Sequence, residues 1–213
     1  MAITYTVKEE RANFMTHLFG VVMVLSASSY FIFVAPAKLT FTYLMGMLLY
    51  AVGASSSYIS SSIYHYCPSK SMYREKLRKL DHAAIYWHIA GSYSPITLIG
   101  MAEREGWGCL LFIIVWLCAL VGSITSFRGL KEHSNIETVC FVGMGLLMLI
   151  AFNPVLYCIG WNSMIWVIAE GVAFITGAVF YSFNKIPYMH TVFHVFVLLG
   201  SVCHIIALYN MLY

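Results

Sequence analysis

His190 and His194 stand four residues apart in an otherwise apolar stretch, His190-Thr-Val-Phe-His194, and His204 follows ten residues further on. Positions i and i+4 of a helix share one face, a turn apart, so two imidazoles at this spacing can reach one metal ion. The alternative is two neutral histidines hydrogen-bonded to neighbouring helices. His204 lies about 15 Å further along the axis, at about 1.5 Å per residue, and so belongs to another depth. Helical spacing also joins Ser61 to His65, and it aligns Glu10, Asn13, His17 and Gly20 at steps of three, four and three. Glu10 and Asn13 read most simply as caps of the first helix, whereas His17 lies deeper. Asp81 opens an apolar segment and reads as an N-cap or a site carboxylate. Glu170 lies near the middle of another, where a carboxylate must be protonated, paired or turned to a cavity. His204 is a candidate partner for it.

The segments that carry these groups are membrane-length. Of 213 residues 61% are hydrophobic and 10% charged, with a mean hydropathy of +0.79, far more apolar than a soluble domain of this size. Seven apolar segments span residues 14–35, 39–66, 83–101, 107–127, 136–156, 161–183 and 189–213. Each can cross a hydrocarbon core of about 30 Å. The breaks between them are short and carry Pro, Gly or charge. With no repeat and no second domain, the expected architecture is all-α: one polytopic seven-transmembrane bundle over residues 1–213. The N-terminal stretch shows no Ala-x-Ala-like cleavage site and reads as a retained first span. A net charge of +3 without a basic tract argues against nucleic acid. Membrane lipid is the expected partner. The six cysteines form no C-x-x-C pair, so neither a disulfide framework nor a thiolate metal site is expected.

Charge sets the orientation. Lys8, Arg11, Lys70, Arg74, Lys76, Arg78, Lys79, Arg128, Lys131 and Lys185 fall on the side of the N-terminus, and Lys38 and Arg104 on the other. The positive-inside rule then puts the N-terminus in the cytoplasm and the C-terminus outside. That orientation, derived from Lys and Arg alone, brings Ser61, His65, Asp81, His190 and His194 to one leaflet. Segments four and five offer nothing comparable. Three histidines and a carboxylate suit a catalytic zinc site, which uses three protein ligands and keeps a position for water. Zinc there lowers the pKa of a water to about 7 and polarises a carbonyl. Imidazole coordination favours zinc and also suits iron, copper or nickel.

These residues carry a resemblance. Ser61-x-x-x-His65, Leu80-Asp81-His82 and His190-x-x-x-His194 resemble the progestin and adipoQ receptor family. Glu9-Glu10-x-x-Asn13-x-x-x-His17-x-x-Gly20 and Gly91-Ser92-Tyr93-Ser94-Pro95 are similar to its microbial haemolysin III branch. The likeness runs from the first segment to the last. It implies a seven-helix bundle around an intramembrane zinc held by His65, His190 and His194, with Asp81 holding the water and Ser61 behind them. It also implies ceramidase-like chemistry or a role in membrane lipid homeostasis, in a plasma membrane or bacterial cytoplasmic membrane. The chain departs from the receptors in lacking their long N-terminal domain, and Ser69 stands where they carry a cysteine. The function expected is a zinc-dependent hydrolase of acyl-amide or acyl-ester lipids, with Asp81 as general base and Ser61 donating to the oxyanion or to Asp81. The alternatives are a non-enzymatic zinc-stapled sensor or regulator, and a lytic pore or transporter that uses Glu170, His88 and His204.

Overall fold

The computed structural model describes residues 5–34, 39–129, 136–183 and 185–213. The expected break at 35–38, most of that at 128–135, and Asn184 lie outside the described residues, as do Lys38 and Lys131. What is described is all-helical. The helices are α1 (Val7–Phe33), α2 (Phe41–Tyr66), α3 (Arg74–Pro95), α4 (Glu105–Gly129), α5 (Ile136–Gly145), α6 (Phe152–Ser182) and α7 (Met189–Leu212). Four helical stretches, Val7–Phe33, Gly106–Arg128, Phe152–Ser182 and Met189–Leu212, are long and apolar enough to cross a membrane. Serines dilute the apolar character of α2 and charges that of α3, while α5 is short even with its 3₁₀ continuation over Leu146–Leu149.

The helices place polar groups inward and apolar groups outward, as lipid demands. On α1, Asn13, His17, Gly20, Val24, Ser28 and Phe31 are buried, at steps of three or four, whereas Phe19, Val22 and Leu25 are exposed. The buried set therefore forms one stripe, and the outer surface would meet hydrocarbon. The helices pack in chain order, and α1 also meets α7, which closes the ring. The tightest approach joins α2 to α3. A Cβ at Gly53 would stand 3.0 Å from the Gly91 Cα, and one at Gly91 would stand 2.9 Å from the Leu49 carbonyl oxygen. Small residues let backbones come this close where lipid supplies no hydrophobic drive between helices. Gly20 likewise admits the Tyr58 ring, in keeping with its place on the α1 stripe.

Three local readings need correction. The box that caps α1 is Thr6 with Glu9: the Thr6 amide donates to the Glu9 carboxylate (2.8 Å), and the Glu9 amide to Thr6 Oγ1 (3.2 Å). Glu10 and Asn13 are thereby free for other partners. Helix α3 begins at Arg74, well before the expected start of the third segment, so Asp81 lies two turns inside it and is not an N-cap. The fifth segment is not one helix. It passes from α5 through the 3₁₀ turn into the opening turns of α6, while Gly160, at φ +71°, breaks the helical path of α6 in the expected gap between the fifth and sixth segments. Glycine takes this positive φ without the Cβ clash other residues would suffer. Helix α3 ends at Pro95, and a π-helical turn follows over Ile96–Gly100.

Candidate metal centre

α2 ends where α1, α3 and α7 begin, and this common end of the bundle holds the histidine cluster. One ligand nitrogen from each of His65, His190 and His194 falls within a 4.8 Å group. His190 Nε2 is 3.2 Å from His65 Nε2 and 3.0 Å from His194 Nε2. His65 and His194 are buried and His190 nearly so. The i, i+4 spacing within α7 sets the His190–His194 contact, and His65 reaches both from the last turn of α2.

The partners of each ring decide which nitrogen carries the proton. His65 Nδ1 is 2.6 Å from a Glu10 carboxylate oxygen, and Arg74 pairs with the other oxygen of Glu10. A hydrogen on Nδ1 satisfies this contact and leaves the His65 Nε2 lone pair pointing at the cluster. His194 Nδ1 faces the Asn13 carbonyl at 3.3 Å. It also lies 3.3 Å from Thr16 Oγ1, whose hydroxyl donates to backbone carbonyls of its own helix. The same reasoning turns a lone pair of His194 inward. His190 Nε2 can donate to one of these acceptors but not satisfy both, and its Nδ1 is buried without a partner. Three convergent imidazole nitrogens with two lone pairs already committed inward are the donor set of a cation, so the residues fit a metal ion. A carboxylate on the distal nitrogen is the usual support of a metal-bound histidine.

Further contacts fix these histidines. Thr191 donates to Asn13 Oδ1 (2.5 Å), and the Tyr188 amide donates to Glu9 (2.8 Å), which ties the start of α7 to α1. Tyr188 holds a left-handed φ of +64° two residues before His190. Such a conformation costs about 1–3 kcal/mol and is retained where neighbours over-determine it. His17 stacks on His194 with ring centroids 3.6 Å apart, and neither of its nitrogens has a partner.

Ser61 and Asp81 line the same cavity as His190 and His194, a space of about 340 Å³ bounded by residues of α1, α2, α3, α5, α6 and α7. No hydrogen bond joins Asp81 to a histidine among the described residues. The serine run separates cleanly. Ser56, Ser60 and Ser62 return their hydroxyls to carbonyls of α2 at 2.8–3.1 Å, whereas the Ser61 hydroxyl is buried without a partner, close to Asp81.

The deep carboxylate finds the partner expected for it: Glu170 Oε2 lies 2.8 Å from His204 Nδ1. His82 Nδ1 lies 2.8 Å from a Glu137 carboxylate oxygen, and Ser126 donates to the same carboxylate at 2.5 Å. Segments four and five are thus less bland than they read. The roles of Glu10, Arg74, Thr16 and Thr191 escape sequence reasoning. The signal for Glu10 is its place on the polar stripe of α1; no signal marks Arg74, which counts only as a charge.

Taken together, an apolar exterior, a polar interior and convergent buried histidines define an integral membrane protein of the helical-bundle class with a candidate metal centre. The family described as haemolysin-III related matches residues 5–205, and the chain belongs to that family. It is 32% identical over 203 residues to Hemolysin-3 of Bacillus cereus, covering 93% of this chain and 90% of that one. It is also 32% identical over 197 residues to the Hemolysin-3 homolog of Bacillus subtilis (strain 168), covering 92% and 91%. An ADIPOR-like receptor of Saccharomyces cerevisiae, IZH2, is 28% identical over 228 residues, covering 94% and 71%. The resemblance to the wider progestin and adipoQ receptor family rests on such relatives.

Proposed function

We propose that this protein is an intramembrane zinc-dependent hydrolase of acyl-amide or acyl-ester lipids, with seven spans, a cytoplasmic N-terminus and a role in membrane lipid homeostasis, in a plasma or bacterial cytoplasmic membrane. One observation carries the reading: two of the three clustered histidines, His190 and His194, line an apolar cavity that Asp81 and Ser61 also line. His65, His190 and His194 would hold the ion, which supplies a water activated near neutral pH and a polarised carbonyl. Asp81 orients that water, takes its proton and passes it to the leaving nitrogen or oxygen. Ser61, with its unpartnered hydroxyl, donates to the developing oxyanion or to Asp81. Glu10 holds the His65 ring and keeps its proton on Nδ1. Leu149, Ile168, Val172 and Ile175 line the cavity and are also exposed on the α5 segment and α6. That supports a sideways opening through which an acyl chain reaches the site from the bilayer.

The test is zinc content and lipid turnover of purified protein. About one zinc per chain should be lost in His65→Ala, His190→Ala and His194→Ala and kept in a His204→Ala control, while Asp81→Ala keeps zinc and loses turnover. Full turnover in Asp81→Ala would refute the mechanism.

A second reading is a zinc-stapled sensor that turns over no lipid. It is favoured by the way His65, Glu10, Arg74 and His194 knit α1, α2, α3 and α7 together, and by the receptor name of the yeast relative. It predicts that ligand loss melts the bundle while wild type turns over no lipid. The bacillus relatives bear the name haemolysin. A lytic pore would show as liposome conductance abolished by Glu170→Gln.

A further inference from the structure

At the other end of the cavity, Glu170 and His204 form a buried polar pair that the hydrolytic chemistry does not use. Glu170 is 8% exposed and His204 1% exposed, and both line the cavity that reaches His190 and His194. One Glu170 oxygen meets His204 Nδ1 at 2.8 Å, and the other has no hydrogen-bond partner among the described residues. A carboxylate offered to a cavity in a membrane bundle is costly unless something hydrogen-bonds to it. Around it the cavity is apolar, with Ile168, Val172 and Phe174 from the same helix. The pair lies ten residues along α7 from His194, which is about 15 Å of helix rise. A single elongated ligand can therefore meet both ends.

We propose that Glu170, backed by His204, is a second polar anchor that accepts a hydrogen bond from a hydroxyl in the middle of the bound acyl chain, and so selects hydroxylated lipids. A hydroxyl suits this place because it can both donate and accept, and the pair presents an acceptor or a donor according to which member holds the shared proton. His204 fixes the carboxylate, so the anchor is rigid before the ligand arrives. The proposal rests on the reading that the cavity takes a lipid with its polar end at the histidine cluster. It does not require that the lipid be cleaved.

The experiment is displacement of a bound fluorescent fatty acid from the purified full-length protein in detergent. The competitors are stearic acid, stearic acid with a mid-chain hydroxyl, and stearic acid with the hydroxyl next to the carboxylate. Wild type should prefer the mid-chain hydroxyl by about tenfold, the worth of one good hydrogen bond, with no gain from the other position. Glu170→Leu should erase the preference, read as the ratio of the hydroxylated to the plain acid affinity within that variant. Equal affinity for the three acids in wild type overturns the anchor, whatever Glu170→Leu does, and leaves the lipid-cavity reading intact. A preference that survives in Glu170→Leu overturns the assignment to this residue. If no acid binds wild type, both readings fall. If the preference holds and no lipid is hydrolysed, the anchor stands and only the catalytic reading fails.

Discussion

The two ends of the cavity solve the problem of burying polar groups differently. At the histidine cluster, His65 and His194 each have a polar partner on the distal nitrogen, and one of those partners, Glu10, is itself paired with Arg74. Four helices contribute, so the rings cannot turn without breaking contacts elsewhere. At the far end, one carboxylate and one imidazole from adjacent helices satisfy only each other. The first arrangement holds several nitrogens on one point, which a metal needs; the second holds one acceptor in place, which suffices to recognise a single ligand group. The number of supporting contacts thus tracks how many donors must converge.

The contrast can be broken or sharpened by substitution. The largest effect is expected at Asp81: if the proposed hydrolysis holds, Asp81→Ala should lower lipid turnover by about 10²–10⁴-fold at unchanged zinc content, measured on protein in liposomes. Loss of a ring's support should be milder. Glu10→Gln keeps the size of the side chain but removes the charge that holds His65, and zinc affinity by chelator competition should fall about 10–100-fold. No such change is expected from Glu170→Gln, which lies at the other end. If both variants weaken zinc alike, the two ends are not independent. Smaller again, Gly53→Ala pushes a methyl towards the Trp87 backbone carbonyl, which cannot swing aside. It should cost about 1–3 kcal/mol, read as a lower thermal midpoint in detergent. The smallest is Thr191→Val, which deletes the hydrogen bond to Asn13 and should cost about 1 kcal/mol in the same assay.

Part of this site is legible in the amino-acid sequence. The i, i+4 pair of α7 needs only helix geometry, and the lysines and arginines of the loops draw His65 and Asp81 to the same end of the bundle. Glu170 and His204 can be paired by depth alone. Other features escape because nothing in the local sequence marks them. Arg74 looks like one more loop cation until α3 is seen to start there, which lets its guanidinium reach Glu10 on α1. Ser61 cannot be told from its neighbours by composition: all can bond back to the helix, and only tertiary placement leaves one hydroxyl unanswered. The break in the fifth segment is hidden because an apolar run gives the same pattern whether it is continuous or interrupted.

By itself the sequence determined the solvent, the helical class and the ends of most helices, because hydrocarbon tolerates no unsatisfied backbone and the apolar runs have span length. It also narrowed the candidate nitrogen ligands to eight histidines, the side chains of this apolar chain that carry a neutral ring-nitrogen lone pair. Only the tertiary structure decided that α1, α2, α3 and α7 meet at one end of the bundle, that Glu10 meets His65 instead of capping a helix, and that one cavity reaches from His190 and His194 to Glu170. The physical reason is that helical periodicity fixes the direction of a side chain around its own axis, whereas the neighbour it faces is chosen by packing between residues far apart in the chain.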